Sequence, residues 1–241
     1  MFKINDKITV DLTSCVDVES LLELKPYVDY AVAKHHELQM PAQYGGDLFL
    51  NKGTGFFDIS EELKLDLINK YPYIGDLNYK QLLLWLRYNM DIKYGQCHLH
   101  VIKPHSWETK NLSAHCDKCV PYESFKPLLD WVDSQNIFSD YGRVNLFINE
   151  PYTLTPIHYD PPSNEYTDKD QFIWITLDDR KKFFVYDPES KTKHYLTGYI
   201  GTFDNHNYHG SEATEFASYS IRVDGVFSKL FLDKSGMAGH F

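Results

Sequence analysis

The sequence predicts an α+β chain in which a mainly helical N-terminal part supports an antiparallel jelly-roll barrel. Three observations predict it. Before position 140 apolar residues recur at helical spacing, whereas from Tyr141 onward they alternate with polar ones. The later segments are short and separated by turn residues, as in hairpins. An aromatic content of 15%, with 18 tyrosines and 15 phenylalanines, suits strands and an aromatic-lined site. The 241 residues fit one domain, or a core with an extension. They divide into a helical support region over 1–140, a barrel over 141–232 and a tail over 233–241.

Taken in order, Val28, Ala31, Val32 and His35 share one helical face after Pro26. Gly45-Gly46 and Gly53 to Gly55 mark a loop. Ser60 is placed to cap a helix carrying Leu63, Leu65, Leu67 and Ile68. Asn78 with Gln81 resembles a capping box before the apolar run 82–86. Residues 122–133 form a further helix, with Phe125, Leu128, Leu129 and Val132 on one side. The barrel opens with 143–149, where Val144, Leu146 and Ile148 face away from Arg143, Asn145 and Phe147. Strands at 172–177 and 181–186 flank the turn Asp178-Asp179-Arg180, and 196–203 and 218–227 complete the set.

The net charge of −10 and the lack of a polybasic tract speak against a nucleic-acid or membrane-surface partner. No run approaches the ~20 apolar residues of a membrane span, and the start Met-Phe-Lys-Ile-Asn-Asp lacks a secretory h-region. An intracellular, cytoplasmic chain is therefore expected, its four cysteines serving as thiols or metal ligands rather than disulfides. Residues 97–119 read as a Cys/His-rich loop holding Cys97, His98, His100, His105, His115, Cys116 and Cys119. Cys116-x-x-Cys119 has zinc-knuckle spacing without a second such pair. A structural zinc at Cys116 and Cys119 is one reading, and a reduced surface loop the preferred one.

Two histidines and a carboxylate on one octahedral face leave the opposite face open, the ligand pattern of non-haem iron oxygenases. Its first two ligands often stand as His-x-Asp or His-x-Glu. Three such tripeptides occur: His35-His36-Glu37, His115-Cys116-Asp117 and His158-Tyr159-Asp160. With 11 histidines and 34 acidic residues, chance alone gives between one and two. Context therefore has to choose, and only the third lies in the β-rich region. A second histidine should come from a later strand, with His206 and His209 as candidates and His194 weaker. Arg222 shares the polar face of its strand with Ser218, Ser220 and Asp224, and a barrel-interior arginine needs an anion.

The run Thr155-Pro156-Ile157-His158-Tyr159-Asp160, followed four residues later by Asn164, resembles the 2-oxoglutarate and Fe(II)-dependent oxygenases. The likeness is strongest to their JmjC or cupin-like branch, which includes asparaginyl hydroxylases. It extends over about residues 143–227: a Lys181-led strand ending in an aromatic and proline, Gly198 eleven residues before His209, and Arg222 thirteen after it. Tyr199 stands where the family has aspartate, and about seven extra residues follow Asn164. The resemblance implies a double-stranded β-helix core. It implies Fe(II) held by His158, Asp160 and His209, and 2-oxoglutarate anchored by Arg222 first or Lys181 second, with Thr155 and Asn164 nearby. The implied activity is hydroxylation of a protein side chain or small metabolite, with oxidative decarboxylation of 2-oxoglutarate to succinate. A cupin-like metal enzyme not using 2-oxoglutarate, and a non-enzymatic zinc-stabilised binding module, are the alternatives. Oligomeric state is not legible.

Overall fold

Strands and helices alternate along the chain of the computed structural model, which describes residues 1–41, 61–76, 96–151, 154–160 and 170–241. In order they are β1 (Thr9–Asp11), α1 (Val18–Glu23), α2 (Lys25–Lys34), β2 (Met40–Pro41), α3 (Glu61–Lys70), β3 (Gln96–Pro104) and β4 (Cys116–Lys118). Then come α4 (Lys126–Ser134), β5 (Phe138–Asn149), β6 (Thr155–His158), β7 (Phe172–Ile175), β8 (Phe183–Asp187) and β9 (Thr192–Tyr195). The chain closes with β10 (Ile200–Phe203), β11 (His209–Ser211), β12 (Ser218–Phe227) and α5 (Lys229–Ser235). The expected loop at 45–55, the cap at Ser60 and the helix after Asn78 lie outside the described residues. Among the described residues, no helix is long and apolar enough to cross a membrane.

The helices start and stop where side chains satisfy their free backbone groups. Asp17 accepts the Ser20 N–H at 3.2 Å to cap α1. α2 has Pro26 in its first turn and buries Val28 and Ala31. His35 closes it, with Nε2 2.9 Å from Ser124 Oγ. The segment expected as one helix at 122–133 is a 3-10 turn over Tyr122–Phe125 followed by α4. Pro127 falls in the first turn of α4, where its missing N–H costs nothing. Ser228 Oγ accepts the Phe231 N–H at 3.1 Å to open α5, and Gly236 ends it at φ 72°.

The strands form two antiparallel sheets. The larger has the order β1-β10-β7-β12-β5-β3-β2, with β4 paired to β3, and the smaller has the order β6-β11-β8-β9. Within it, β5 to β12 alternate between the sheets as β10-β7-β12-β5 facing β6-β11-β8-β9, the winding of a jelly roll or double-stranded β-helix. The outer face of the larger sheet carries Leu99, Val101, Val144, Leu146, Ile148, Ile221 and Val223 and packs on Leu21, Val28, Leu128, Leu129 and Trp131 of the helices. Between the sheets lies a second, aromatic cluster of Phe172, Trp174, Phe183, Val185 and Phe203. This two-sided burial explains why β5 and β12 alternate apolar with polar residues: one face meets helices, the other the barrel interior.

Part of the described N-terminal region is strand. Residues 97–104, read as part of a loop, belong to β3, which extends the barrel sheet beside β5. Its outward Cys97, Leu99 and Val101 are buried against the core, while Gln96, His98 and His100 point inward, so its polar residues are interior rather than solvated. Gly198 adopts φ +78°, and an added Cβ would stand 2.1 Å from Thr13 Oγ1. That Thr13 oxygen accepts the Tyr199 N–H at 3.0 Å, tying the turn before β10 to the N-terminal segment. Gly198→Ala is expected to destabilise the chain by about 1–3 kcal/mol through backbone strain. A lowered urea midpoint with an unchanged m-value is the corresponding measurement.

Candidate metal centre

Strand register arranges the inner face of the larger sheet in rows. His100, Asn145, Arg222 and Trp174 make one row; His98, Phe147 and Ser220 the next; Gln96, Asn149 and Ser218 a third. Opposite, β11 pairs with β6 so that His209 faces His158 and Ser211 faces Thr155. A register shift between His209 and Ser211 absorbs the odd spacing from Thr155 to His158.

His158, Asp160 and His209 converge there, with one ligand atom from each lying within 4.8 Å of the others. The two imidazole centroids are 4.4 Å apart. His209 Nδ1 lies 2.8 Å from the Asn207 carbonyl oxygen. A carbonyl only accepts, so the proton sits on Nδ1 and the Nε2 lone pair is left for a metal. Burial, with His158 close by, pushes the His209 imidazole down to about 3, so the ring is neutral at physiological pH.

Asp160 sits just beyond β6, its N–H donating to the Asn205 carbonyl at 3.1 Å. Burial alone would raise its carboxyl. His209, Arg222 and His158 and the Asn205 hydrogen bond outweigh that and hold it well below the usual carboxylate range. Asn205 Nδ2 donates to Asp160 Oδ2 at 3.1 Å and to Asp170 Oδ2 at 2.6 Å. Arg222 Nη1 donates to the same Asp160 oxygen at 3.0 Å, and its Nε donates to Asp224 Oδ1 at 2.9 Å. Burial disfavours the charged guanidinium, but Asp224, Asp160 and Asp170 reverse this and raise it above its ordinary value. Lys110 Nζ donates to Asp170 Oδ1 at 2.6 Å, completing a network of alternating charge at the barrel mouth. Arg222, ranked first as an anchor for a cosubstrate, is thus already committed to carboxylates of the chain.

Lys181 occupies the deeper end. It is buried, and its Nζ donates to Asn149 Oδ1 at 2.8 Å. Burial lowers it to about 7, against the weaker opposing pull of Glu212. Thr155 Oγ1 accepts from Gln96 Nε2 at 2.5 Å and from Ser211 Oγ at 2.8 Å. Lys182 points outward, its Nζ donating to the Asp179 carbonyl at 2.8 Å.

The other expected residues are placed apart from this cluster. His206 Nδ1 is 2.8 Å from Asp204 Oδ1, and its ring lies edge-on to Phe2. His194 lies on β9, the outer strand of the smaller sheet. His36 and Glu37 are exposed, and Asp117 pairs with His105 at 3.1 Å. Asn164 lies outside the described residues. The zinc expectation at Cys116 and Cys119 gains no support. Burial raises both thiols, Cys116 to about 11, whereas metal-binding cysteines need the thiolate. Cys116 Sγ is directed at the Lys110 carbonyl and Cys119 Sγ at that of Asp117. Cys97 pairs with Ile148, far along β3 from Cys116 opposite Pro104. Among the described residues, the His158–Asp160–His209 group alone has metal-holding geometry.

Sequence reasoning missed Asn149, Asn205, Asp170, Lys110, Gln96 and Ser211. Of these, Ser211 alone had a local signal, two residues beyond His209 and therefore on the same strand face.

No family model matches the sequence, and no curated protein matches it. Similar solved structures include a 2OG-Fe(II) oxygenase family oxidoreductase from Burkholderia pseudomallei, at 11% identity and TM-score 0.38 over 70% of this chain and 93% of that one. A Trichoplax adhaerens prolyl hydroxylase, solved with a hypoxia inducible factor peptide fragment, is 10% identical at TM-score 0.42 over 92% of this chain and 84% of that one. A Pseudomonas putida prolyl-4-hydroxylase is 8% identical at TM-score 0.32 over 56% and 72%.

Removing the guanidinium leaves the fully buried Asp224 and the partly buried Asp160 without their main counter-charge. Arg222→Ala is therefore expected to cost about 3–5 kcal/mol of stability. Chemical denaturation measures it, and a variant as stable as the parent would mean that the network contributes little.

Proposed function

We propose that the protein is a 2-oxoglutarate- and Fe(II)-dependent oxygenase, acting as a hydroxylase on a protein side chain or small metabolite. The observation that carries this reading is the convergence of His158, Asp160 and His209 at one end of a barrel interior that holds a buried lysine further in. The donor set fits a divalent iron: two imidazoles and one ionised carboxylate, with the His209 proton fixed on Nδ1. When bound, iron and 2-oxoglutarate together supply oxygen activation, 2-oxoglutarate being decarboxylated to succinate as a substrate C–H bond is oxidised.

The chain's own residues supply binding, orientation and dryness. His158, Asp160 and His209 hold the metal, and Arg222 with Asn205 keeps Asp160 ionised and in place. Lys181 receives the distal carboxylate of the cosubstrate, since its Asn149 bond leaves two ammonium protons to donate. Thr155 accepts two hydrogen bonds, so its own hydroxyl proton is available to the same carboxylate. Two residues of β11 separate His209 from Ser211, a rise of about 7 Å, which suits a five-carbon dicarboxylate chelated at one end. Phe183, Val185, Phe203 and Trp174 wall this space and exclude water. Lys181 therefore replaces Arg222 as the preferred anchor. JmjC-like membership and Asn164 as a contact to 2-oxoglutarate or substrate remain parts of this proposal.

Succinate formation from 2-oxoglutarate under Fe(II) tests the class, and its absence with bound iron would favour a cupin-like enzyme without this cosubstrate. Lys181→Ala is expected to raise the apparent 2-oxoglutarate constant about 30-fold or more, since truncating one partner of a buried charge pair costs about 2–5 kcal/mol. A carboxylate favours the charged lysine, whose value in the free protein is lowered to about 7. Affinity should thus be full below that pH and fall by up to about tenfold per unit above it. Lys181→Arg should flatten this alkaline limb in a binding titration.

A further inference from the structure

Three groups on the inner face of the larger sheet have no role in the reading above. Arg143 is 5% exposed, and its Nη1 has no hydrogen-bond partner among the described residues. It stands 3.6 Å from Asp224 Oδ2, beyond hydrogen-bond distance, while Arg222 holds the other oxygen of that carboxylate, Oδ1. Two positions along β5, Asn145 is fully buried with both amide atoms unpartnered. His98 Nε2, one strand over on β3, is likewise buried and unpartnered. Buried polar atoms left this way cost free energy unless a ligand or water satisfies them. The Arg143 guanidinium lies 5.0 Å from the Trp107 ring centre and 5.8 Å from that of Phe147, so it lies over the interior between mouth and floor. The His98 ring stands edge-on to Phe147 at 4.8 Å, on the same inner face as Asn145.

We infer that Arg143, Asn145 and His98 form the subsite for the oxidised substrate, and that this substrate carries a carboxylate that Arg143 binds. The inference rests on the iron and 2-oxoglutarate reading and deepens it. Charge supports the choice of an anion. Among the described residues, Arg143, Arg222, Lys110 and Lys181 with a divalent metal face Asp160, Asp170, Asp224 and a dianionic cosubstrate, which leaves one positive charge unmatched. A monocarboxylate balances it, whereas a lysine or arginine side chain would meet two buried guanidinium groups. Among the described residues, Arg143 is the one of the four cations without a chain or cosubstrate carboxylate at hydrogen-bond distance, and Asn145 offers a second donor on the same strand face. A small monocarboxylic acid fits this set.

The test uses the full chain with Ni(II) in place of iron and saturating 2-oxoglutarate, and reads ligand-induced shifts in melting temperature. The probes are short monocarboxylic acids, each paired with its neutral amide. The 2-oxoglutarate shift is measured first, and its absence counts against the functional reading itself. With that shift present, at least one acid is expected to bind about 30-fold or more tightly than its amide. Arg143→Gln should bring that ratio close to one, and Arg143→Lys should recover part of it. If Arg143→Gln does not fold, Asn145→Asp supplies the second readout, its added negative charge lowering the ratio. The inference is overturned if no acid outperforms its amide, or if the preference persists in the variants.

Discussion

The barrel interior is organised around the need to keep one carboxylate ionised away from water. Burial pushes the Asp160 carboxyl towards its protonated form. Arg222 answers with a hydrogen bond at 3.0 Å to Asp160, but a buried guanidinium needs compensation of its own. Asp224, fully buried two residues along the same strand, supplies it. Asp170 and Lys110 extend the alternation outward, and Trp107 covers Lys110 at 4.1 Å and Arg143 at 5.0 Å. The segment between β3 and β4 thereby closes the charged end of the barrel. Each charge is tolerable because the next is present, which makes this network a unit rather than a set of separable bonds.

The jelly roll supplies the geometry this network needs. Antiparallel register stacks the inward side chains of β3, β5, β12 and β7 in rows, so chemistry is layered by depth. The His158–Asp160–His209 group and Arg222 share one end, while Lys181, Thr155, Asn149 and Gln96 share the other. Apolar rings fill the space between the sheets, where Trp174 and Phe183 have centroids 4.5 Å apart and Phe203 and His209 5.2 Å. Helices cover the opposite face of the larger sheet, so the strand backbone is held rigidly on both sides.

The strands at 143–149 and 218–227 were legible because two different environments impose opposite residue types on alternate positions. The strand β3 was not, because its inward residues are histidines and a glutamine, which read as solvated loop. The Thr155–Asp160 run stood out through its resemblance, and Gly198 through a spacing that the structure explains by a left-handed turn against Thr13. Arg222 shows what parity can and cannot tell. It faces the interior as expected, yet the partners that occupy it, Asp160, Asp170 and Asp224, come from three separate stretches of chain.

The sequence by itself determined the α+β class, the alternation of the barrel strands, the His158–Tyr159–Asp160 tripeptide and the short set of histidines able to complete it. These are local properties: period, turn chemistry and residue type at fixed spacing. Tertiary structure alone decided which histidine meets the tripeptide, that Lys181 reaches Asn149, and that Arg143 Nη1 and the Asn145 amide have no hydrogen-bond partner among the described residues. The physical reason is strand register. Pairings such as Arg222 with Asn145 and His209 with His158 join positions tens of residues apart, and an ion pair's worth depends on every charge that register brings around it.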